Sequence, residues 1–207
     1  MLVRAVLVGA LALAVWTSAR AADVYEVDPG TSTMTIHVGK AGLFSFAGHE
    51  HEVTAPIASG RIEADAADLA RSSVTLRFRA ADLRVTGKDE PPSDLPKVQE
   101  AMLGPKVLDA VRFGTIEFTS RTVVGRTLPD GVFDLRLEGD LALHGVTRPV
   151  TVPVRVRRAA DGTLTAEGTA VVRQTDFGIQ PVSVAGVVNV KNELGLTFRV
   201  QARPAAR

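Results

Sequence analysis

The 207 residues include 24 basic and 23 acidic side chains, and charges of both signs are interspersed along the chain, with a net charge of +1. This balance argues against a nucleic-acid-binding protein, which would need a basic stripe or patch. The absence of cysteine excludes disulfides, thiolate metal ligands and thiol catalysis. A stable fold must therefore depend on its hydrophobic core, and the length suits one core in one domain.

The first 21 residues are predicted to be a signal peptide. Arg4 provides a positive n-region, residues 5–16 form an apolar run of h-region length, and residues 19–21 are an Ala-x-Ala cleavage pattern. The alternative is a retained membrane anchor, which is disfavoured because a spanning helix needs about 20 apolar residues. We expect a mature domain of residues 22–207 that is periplasmic or secreted and has no stable membrane insertion after cleavage.

Short segments with apolar residues at every second position recur along the rest of the chain. A strand with one buried face shows this period because successive side chains point to opposite faces. Turn signals such as Asp161-Gly162 separate the segments, and together these features predict an all-β domain. The segments are 34–38, 74–78, 116–118, 164–172 and 194–202.

Segment 93–112 interrupts the alternation and is predicted to be a short helical insert. Ser93 or Asp94 is a possible N-cap, Gly104 can end a first helix, and Pro105 can start a second one. Such an insert often lies over one end of a barrel or against its outer wall. The predicted fold is an antiparallel barrel with this insert. A two-sheet sandwich is the alternative, because alternation alone does not distinguish closed from open sheets.

The clearest element is a long β-hairpin. A turn at His144-Gly145 separates two alternating runs, and we expect His144 to cap backbone groups in that turn while Gly145 supplies its conformation. Long hairpins build sandwiches or closed barrels, and a barrel of eight strands can hold one slim ligand. The apolar residues of the two runs are Phe133, Leu135, Leu137, Leu141, Leu143, Val150, Val152, Val154 and Val156.

Two segments resemble the YceI-like polyisoprenoid-binding family. They are residues 139–152, GDLALHGVTRPVTV, and residues 173–178, RQTDFG. The resemblance implies a lipocalin-like barrel of about eight antiparallel strands, which holds a long isoprenoid lipid such as a quinone or a prenyl phosphate in an apolar lumen. It implies a binding protein that requires no cofactor and that could form a homodimer. Residues 46–53, FAGHEHEV, depart from the usual pattern and indicate a subgroup of the family.

Small residues on one strand indicate where a lumen could have room. Ala166, Gly168 and Ala170 share one parity, and large residues there would fill the space. The alternative, of equal weight, is that they relieve crowding where neighbouring strands approach.

His49 and His51 are two residues apart and would share one face of a strand, near one mouth of the barrel. They could contact a ligand head group, or they could bind Zn or Cu in a metal- or redox-linked periplasmic protein. They could equally be exposed to water, and because a pair lacks a complete metal shell, no metal site is predicted. The candidate ligand contacts are Phe46, His49, His51, Ala166, Gly168, Ala170 and Phe177, although Phe177 also fits a packing corner beside Gly178.

No sequence motif indicates catalysis. The chain has no G-x-S-x-G, no H-E-x-x-H and no Gly-rich phosphate loop, so we expect no enzyme. Arg148 and Arg173 could bind a phosphate, but solvated arginines are commoner. His37 falls on the polar parity of its strand and is expected to be exposed.

Overall fold

The computed structural model describes residues 22–41, 51–88, 91–184 and 188–206. The predicted signal peptide, Phe46 and His49 lie outside these residues. Within them no helix has the length and apolar character needed to cross a membrane. The described elements are β1 (Asp23–Val27), β2 (Thr33–Ala41), β3 (His51–Thr54), β4 (Ile57–Ala64), β5 (Ser73–Arg79), β6 (Arg84–Val85), α1 (Leu95–Leu103), β7 (Thr115–Leu128), β8 (Val132–Leu143), β9 (Val146–Arg158), β10 (Leu164–Arg173), β11 (Ser183–Val184) and β12 (Val188–Pro204).

Eight strands close into an antiparallel barrel in the order β1-β4-β5-β7-β8-β9-β10-β12. The barrel closes because β1 also pairs with β12, with Tyr25 opposite Pro204. Alternation along each strand sends one set of side chains inwards, and on β12 this set includes Val200 and Ala202, which are buried. The predicted all-β barrel is confirmed, and the open sandwich is wrong.

The predicted hairpin is confirmed as β8 and β9. The two strands pair without a break from Val132 opposite Arg157 to Leu143 opposite Val146. His144 and Gly145 both have positive φ, 52° and 74°, as a two-residue turn that matches the strand twist requires. Nδ1 of His144 lies 3.2 Å from the carbonyl oxygen of Phe177. This contact is structural, as expected, but it joins the hairpin turn to the separate turn at residues 174–177 and is not a cap within the hairpin turn itself.

A second part of the sheet extends beyond the closed barrel. One edge of β12 pairs with β1 near its C-terminus and with β2 along residues 189–199, and β2 continues through β3 to β6. The edge of β6 is covered by a side chain of α1. Gln99 donates from Nε2 to the carbonyl of Leu83 and accepts at Oε1 from the N–H of Val85, both at 2.9 Å. Its amide therefore satisfies backbone groups that an edge strand would leave unpaired.

The insert contains one α-helix, not two. Asp94 stands at the N-cap position and Gly104 at the C-cap of α1, as predicted, but residues 105–113 form turns. Asp109 has a φ of +42°, a left-handed conformation that ends any helix. Leu108 turns into the core while Val111 is 99% exposed, so these residues do not share the single apolar face that a second helix would need.

Candidate ligand-binding cavity

The interior of the barrel contains an apolar cavity of about 820 Å³. This volume falls in the range of ligand pockets, roughly 300–1,000 Å³. Inward residues of the barrel strands and of β2 and β3 line it, and Val98, Met102 and Leu108 from the insert cover one end. The insert therefore lies over an end of the barrel, one of its two predicted positions. Lining residues from the strands include Ile36, Val53, Leu76, Phe118, Leu137 and Leu196.

At the end away from α1, the charged groups that border the cavity are already paired. Asp65 is 9% exposed, and its Oδ1 accepts hydrogen bonds from the backbone N–H groups of Ala67 and Asp68, both at 3.0 Å. Its Oδ2 lies 3.1 Å from the Arg71 guanidinium. The bordering Arg158 lies 3.9 Å from Asp23. These charged groups therefore satisfy each other.

The end beneath α1 carries a different set of polar residues. His51, Asp94, Lys97 and Gln174 border the cavity there. Gln174 is 5% exposed and donates from Nε2 to the carbonyl of Lys191 at 2.8 Å, so it links the segment after β10 to β12. Among the described side chains, no buried nitrogen or oxygen lacks a hydrogen-bond partner. The lumen therefore offers apolar surface rather than orphaned polar groups.

The three small residues of β10 differ in their surroundings. Ala166 and Ala170 line the cavity. At Gly168, an added Cβ would lie 2.6 Å from the Phe198 ring and would also meet the carbonyl oxygen of Pro153. Phe198 thus fills the space that Gly168 leaves, and the crowding explanation fits this residue. Ligand contact by Ala166 and Ala170 stays a prediction.

Phe177 packs at the rim of the barrel and does not line the main cavity. It ends a 3₁₀ turn, Gln174–Phe177, and is 1% exposed. Gly178 follows with a φ of 72°, which a glycine adopts without steric cost. This position matches the packing corner that the sequence indicates, and nothing places Phe177 against a ligand in the lumen.

His51 begins β3 opposite Val38 and lines the cavity on the same face as the buried Val53. The neighbouring Glu52 lies 4.0 Å from the exposed His37 and 3.6 Å from Lys88. The face that His51 would share with His49 stays a prediction, because His49 is outside the described residues. In the described ranges, no three His, Asp or Glu residues cluster to hold a metal ion.

An interruption in the barrel wall was missed by the sequence analysis. β9 and β10 pair from Leu164 opposite Arg158 to Gly168 opposite Val154, and no further. A second cavity, of about 320 Å³, lies where the pairing ends, and Arg148 and Arg173 border it. The signal that could have revealed it is a pair of prolines in β9, Pro149 and Pro153, since proline cannot donate to a strand ladder.

The comparisons with known proteins agree with this architecture. A family model described as YceI-like domain matches residues 25–202. A Burkholderia cenocepacia protein, BcnA, superposes with a TM-score of 0.65 at 17% identity, covering 84% of this chain and 98% of its own. A polyisoprenoid binding domain from Saccharophagus degradans gives 0.63 at 12%, covering 90% and 100%.

The Campylobacter jejuni YCEI protein gives a TM-score of 0.53 at 14% identity, covering 74% of this chain and 82% of its own. At these identities the structural likeness shows the fold alone. No curated protein matches the sequence.

Proposed function

This chain belongs to the YceI-like domain family, and on that premise we propose that it is an exported carrier of a long isoprenoid lipid, such as a quinone or a prenyl phosphate. The observation that carries the proposal is the apolar cavity of about 820 Å³ inside the barrel. A domain of the same fold from Saccharophagus degradans is a polyisoprenoid binding domain, and this adds support. The carrier acts by binding and needs neither catalysis nor a cofactor.

The isoprenoid tail supplies most of the affinity. Each buried methylene contributes about 0.8 kcal/mol, and a tail of several isoprene units contains many such groups. Ordering the tail and the lining side chains offsets part of this gain. A hydrogen bond from His51 to a head-group oxygen would add about 0.5–1.5 kcal/mol net. The protein thus selects a long slim apolar chain first and a head group second.

The proposed location is the periplasm or the medium outside the cell. Its basis is the signal-like sequence of residues 1–21, with Arg4, the apolar run and the Ala-x-Ala pattern. A carrier that encloses an apolar tail would let a lipid cross an aqueous compartment. N-terminal sequencing of exported protein should read from Ala22, and an intact Met1 on membrane-retained protein would contradict export.

Native mass spectrometry of the purified mature protein tests the binding proposal. We expect a lipid adduct, or uptake of added geranylgeraniol or ubiquinone at micromolar concentration. Ala170→Phe should weaken uptake by about tenfold or more, because the ring would occupy space that the cavity now provides. Thr169→Phe is the matched control, since Thr169 is exposed on the outer face of the same strand.

The outcomes separate the explanations. Weaker uptake by Ala170→Phe than by Thr169→Phe supports a ligand in the lumen. A metal adduct without lipid would favour a metal-linked function for the histidine pair. No adduct and no uptake would overturn the carrier proposal.

A further inference from the structure

The wall of the barrel is interrupted between β9 and β10. Both strands continue past their last mutual pair, Gly168 opposite Val154. β9 stays paired with β8 as far as Val146, and β10 stays paired with β12 as far as Arg173. Facing edges at residues 149–153 and 169–173 are therefore unpaired, although each segment is held firmly on its other side.

The prolines of β9 explain why the pairing stops. The carbonyl oxygen of Pro153 lies against Gly168 of β10. Since the N–H and C=O of one residue in an antiparallel strand point to the same neighbour, the donor missing at Pro153 is one that would face β10. Pro149 is four residues away and has the same orientation. Two donors that β10 would need are absent from the ladder, and both prolines still fit an edge facing away from β8.

The gap connects the lumen to the outer surface. Val150, Thr151, Val171 and Val172 line both the main cavity and the second cavity of about 320 Å³. Val150 and Val172 lie on the inward parity of their strands, whereas Thr151 is exposed on the outside. Val171 is 67% exposed. A continuous path of mainly apolar side chains therefore runs from the outside, between the strands, to the lumen.

The rim of the gap is held in place by contacts of two arginines. Arg148 donates from Nε to the carbonyl of Asp176 at 2.9 Å and so anchors the 3₁₀ turn Gln174–Phe177 at one end. Arg173 lies 3.4 Å from Glu193. The Arg173 guanidinium thus has a carboxylate partner, whereas the bond from Arg148 goes to a neutral backbone carbonyl. Apolar contact with Val171 remains the main attraction for an approaching tail.

We propose that the gap between β9 and β10 is a side portal through which the apolar tail of the ligand enters and leaves the lumen. This inference rests on the proposed function, and it concerns the route rather than the existence of binding. Passage through the wall would let a tail slide sideways from a lipid surface without displacing α1, which covers one end of the barrel.

Cross-linking across the gap tests the portal, and the cysteine-free chain gives a clean background. If the register of β9 and β10 continued, Thr151 would lie opposite Val171, so Thr151→Cys with Val171→Cys can be joined by a short bismaleimide. Arg155→Cys with Glu167→Cys is the matched control, because these exposed residues are opposite each other in the paired part of the same strands. All-trans-retinol, a fluorescent isoprenoid, is the probe, and its transfer to phosphatidylcholine vesicles gives the exchange rate.

Each variant is measured before and after cross-linking. Joining positions 151 and 171 should slow exchange by about tenfold or more relative to the same variant before cross-linking, as expected when a gate is closed. Equilibrium binding of retinol is measured in parallel, so that slower exchange is distinguished from lost binding. The control cross-link should change neither. Equal exchange rates after both cross-links would overturn the portal and leave the carrier proposal standing. If the uncross-linked protein takes up no retinol and none of the lipids above, the carrier proposal fails and the portal fails with it.

Discussion

The two edges of β9 differ although they belong to one strand. Towards β8 the ladder is continuous from Arg157 to Val146, whereas towards β10 it ends at Val154. The side-chain alternation of β9 is the same where it pairs with β10 and where it does not, with Val150 and Val154 inward and Thr151 and Arg155 outward. The difference therefore comes from backbone donors that are missing on one side, and it shows that a barrel wall can be opened without disturbing its apolar face.

The largest effect is expected at Gly168, the last paired residue on the interrupted edge. Gly168→Ala should lower the free energy of unfolding by about 1–3 kcal/mol, because the new Cβ meets the backbone of Pro153 as well as the Phe198 ring. Urea denaturation measures the change. Ala166→Val is the control, since Ala166 lines the cavity and its extra methyl groups have room. Equal stability of Gly168→Ala and the wild type would contradict the close packing of Gly168 against Pro153 and Phe198.

Restoring the missing donors should make the two edges alike. In Pro149→Val/Pro153→Val, two new N–H groups face β10, and each bond formed contributes about 0.5–1.5 kcal/mol. The greater freedom of the unfolded chain without proline costs about 0.4–1 kcal/mol per site, so the net change in stability should be small. Local protection is the better readout: hydrogen exchange at residues 169–173 should slow markedly.

The control for this change is Thr151→Val, which lies between the two prolines and adds no donor. It should leave hydrogen exchange at residues 169–173 unchanged. If the double proline variant exchanges as fast as the wild type there, the prolines are not what keeps the strands apart.

The smallest effect is expected at the turn Asp161-Gly162, which joins β9 to β10 at the paired end of their ladder. The backbone N–H of Thr163 donates to Oδ1 of Asp161 at 2.9 Å, and this bond lowers the pKa of the Asp161 carboxyl below its ordinary value of 3.8. A carboxyl whose pKa is lower in the folded state stabilises the fold above its unfolded pKa. That contribution is lost as the pH falls through the folded pKa.

We therefore expect a slight acid-side loss of stability that Asp161→Asn does not show, because the amide oxygen still accepts the bond but does not titrate. Urea unfolding measured over an acid pH series compares the two proteins, and carboxyl NMR gives the pKa directly. A carboxyl that titrates at or above the ordinary value would contradict the hydrogen bond.

The hairpin and the insert show how far local patterns reach. The apolar parity of β8 and β9, together with His144-Gly145, predicted the strands, their inward faces and the turn, because strand period and turn conformation depend on nearby residues. The same kind of reasoning was wrong about a second helix after Pro105. There Leu108 packs into the core and Asp109 takes a left-handed conformation. This conformation depends on packing against the end of the barrel and not on the local sequence.

The sequence by itself determined the all-β class, the inward parity of the strands and the resemblance to the family, since each depends on residue order alone. Only the tertiary structure decided which small residues of β10 leave room. Ala166 and Ala170 line the cavity, whereas the space at Gly168 is filled by Phe198, a residue thirty positions away that the register of β10 with β12 places opposite it. The portal also depends on the tertiary structure. Pro149 and Pro153 are visible in the sequence, but only the strand order shows that the missing N–H groups would have faced β10. Hydrogen bonds between strands join residues that are distant in sequence, so local patterns do not reveal the neighbour.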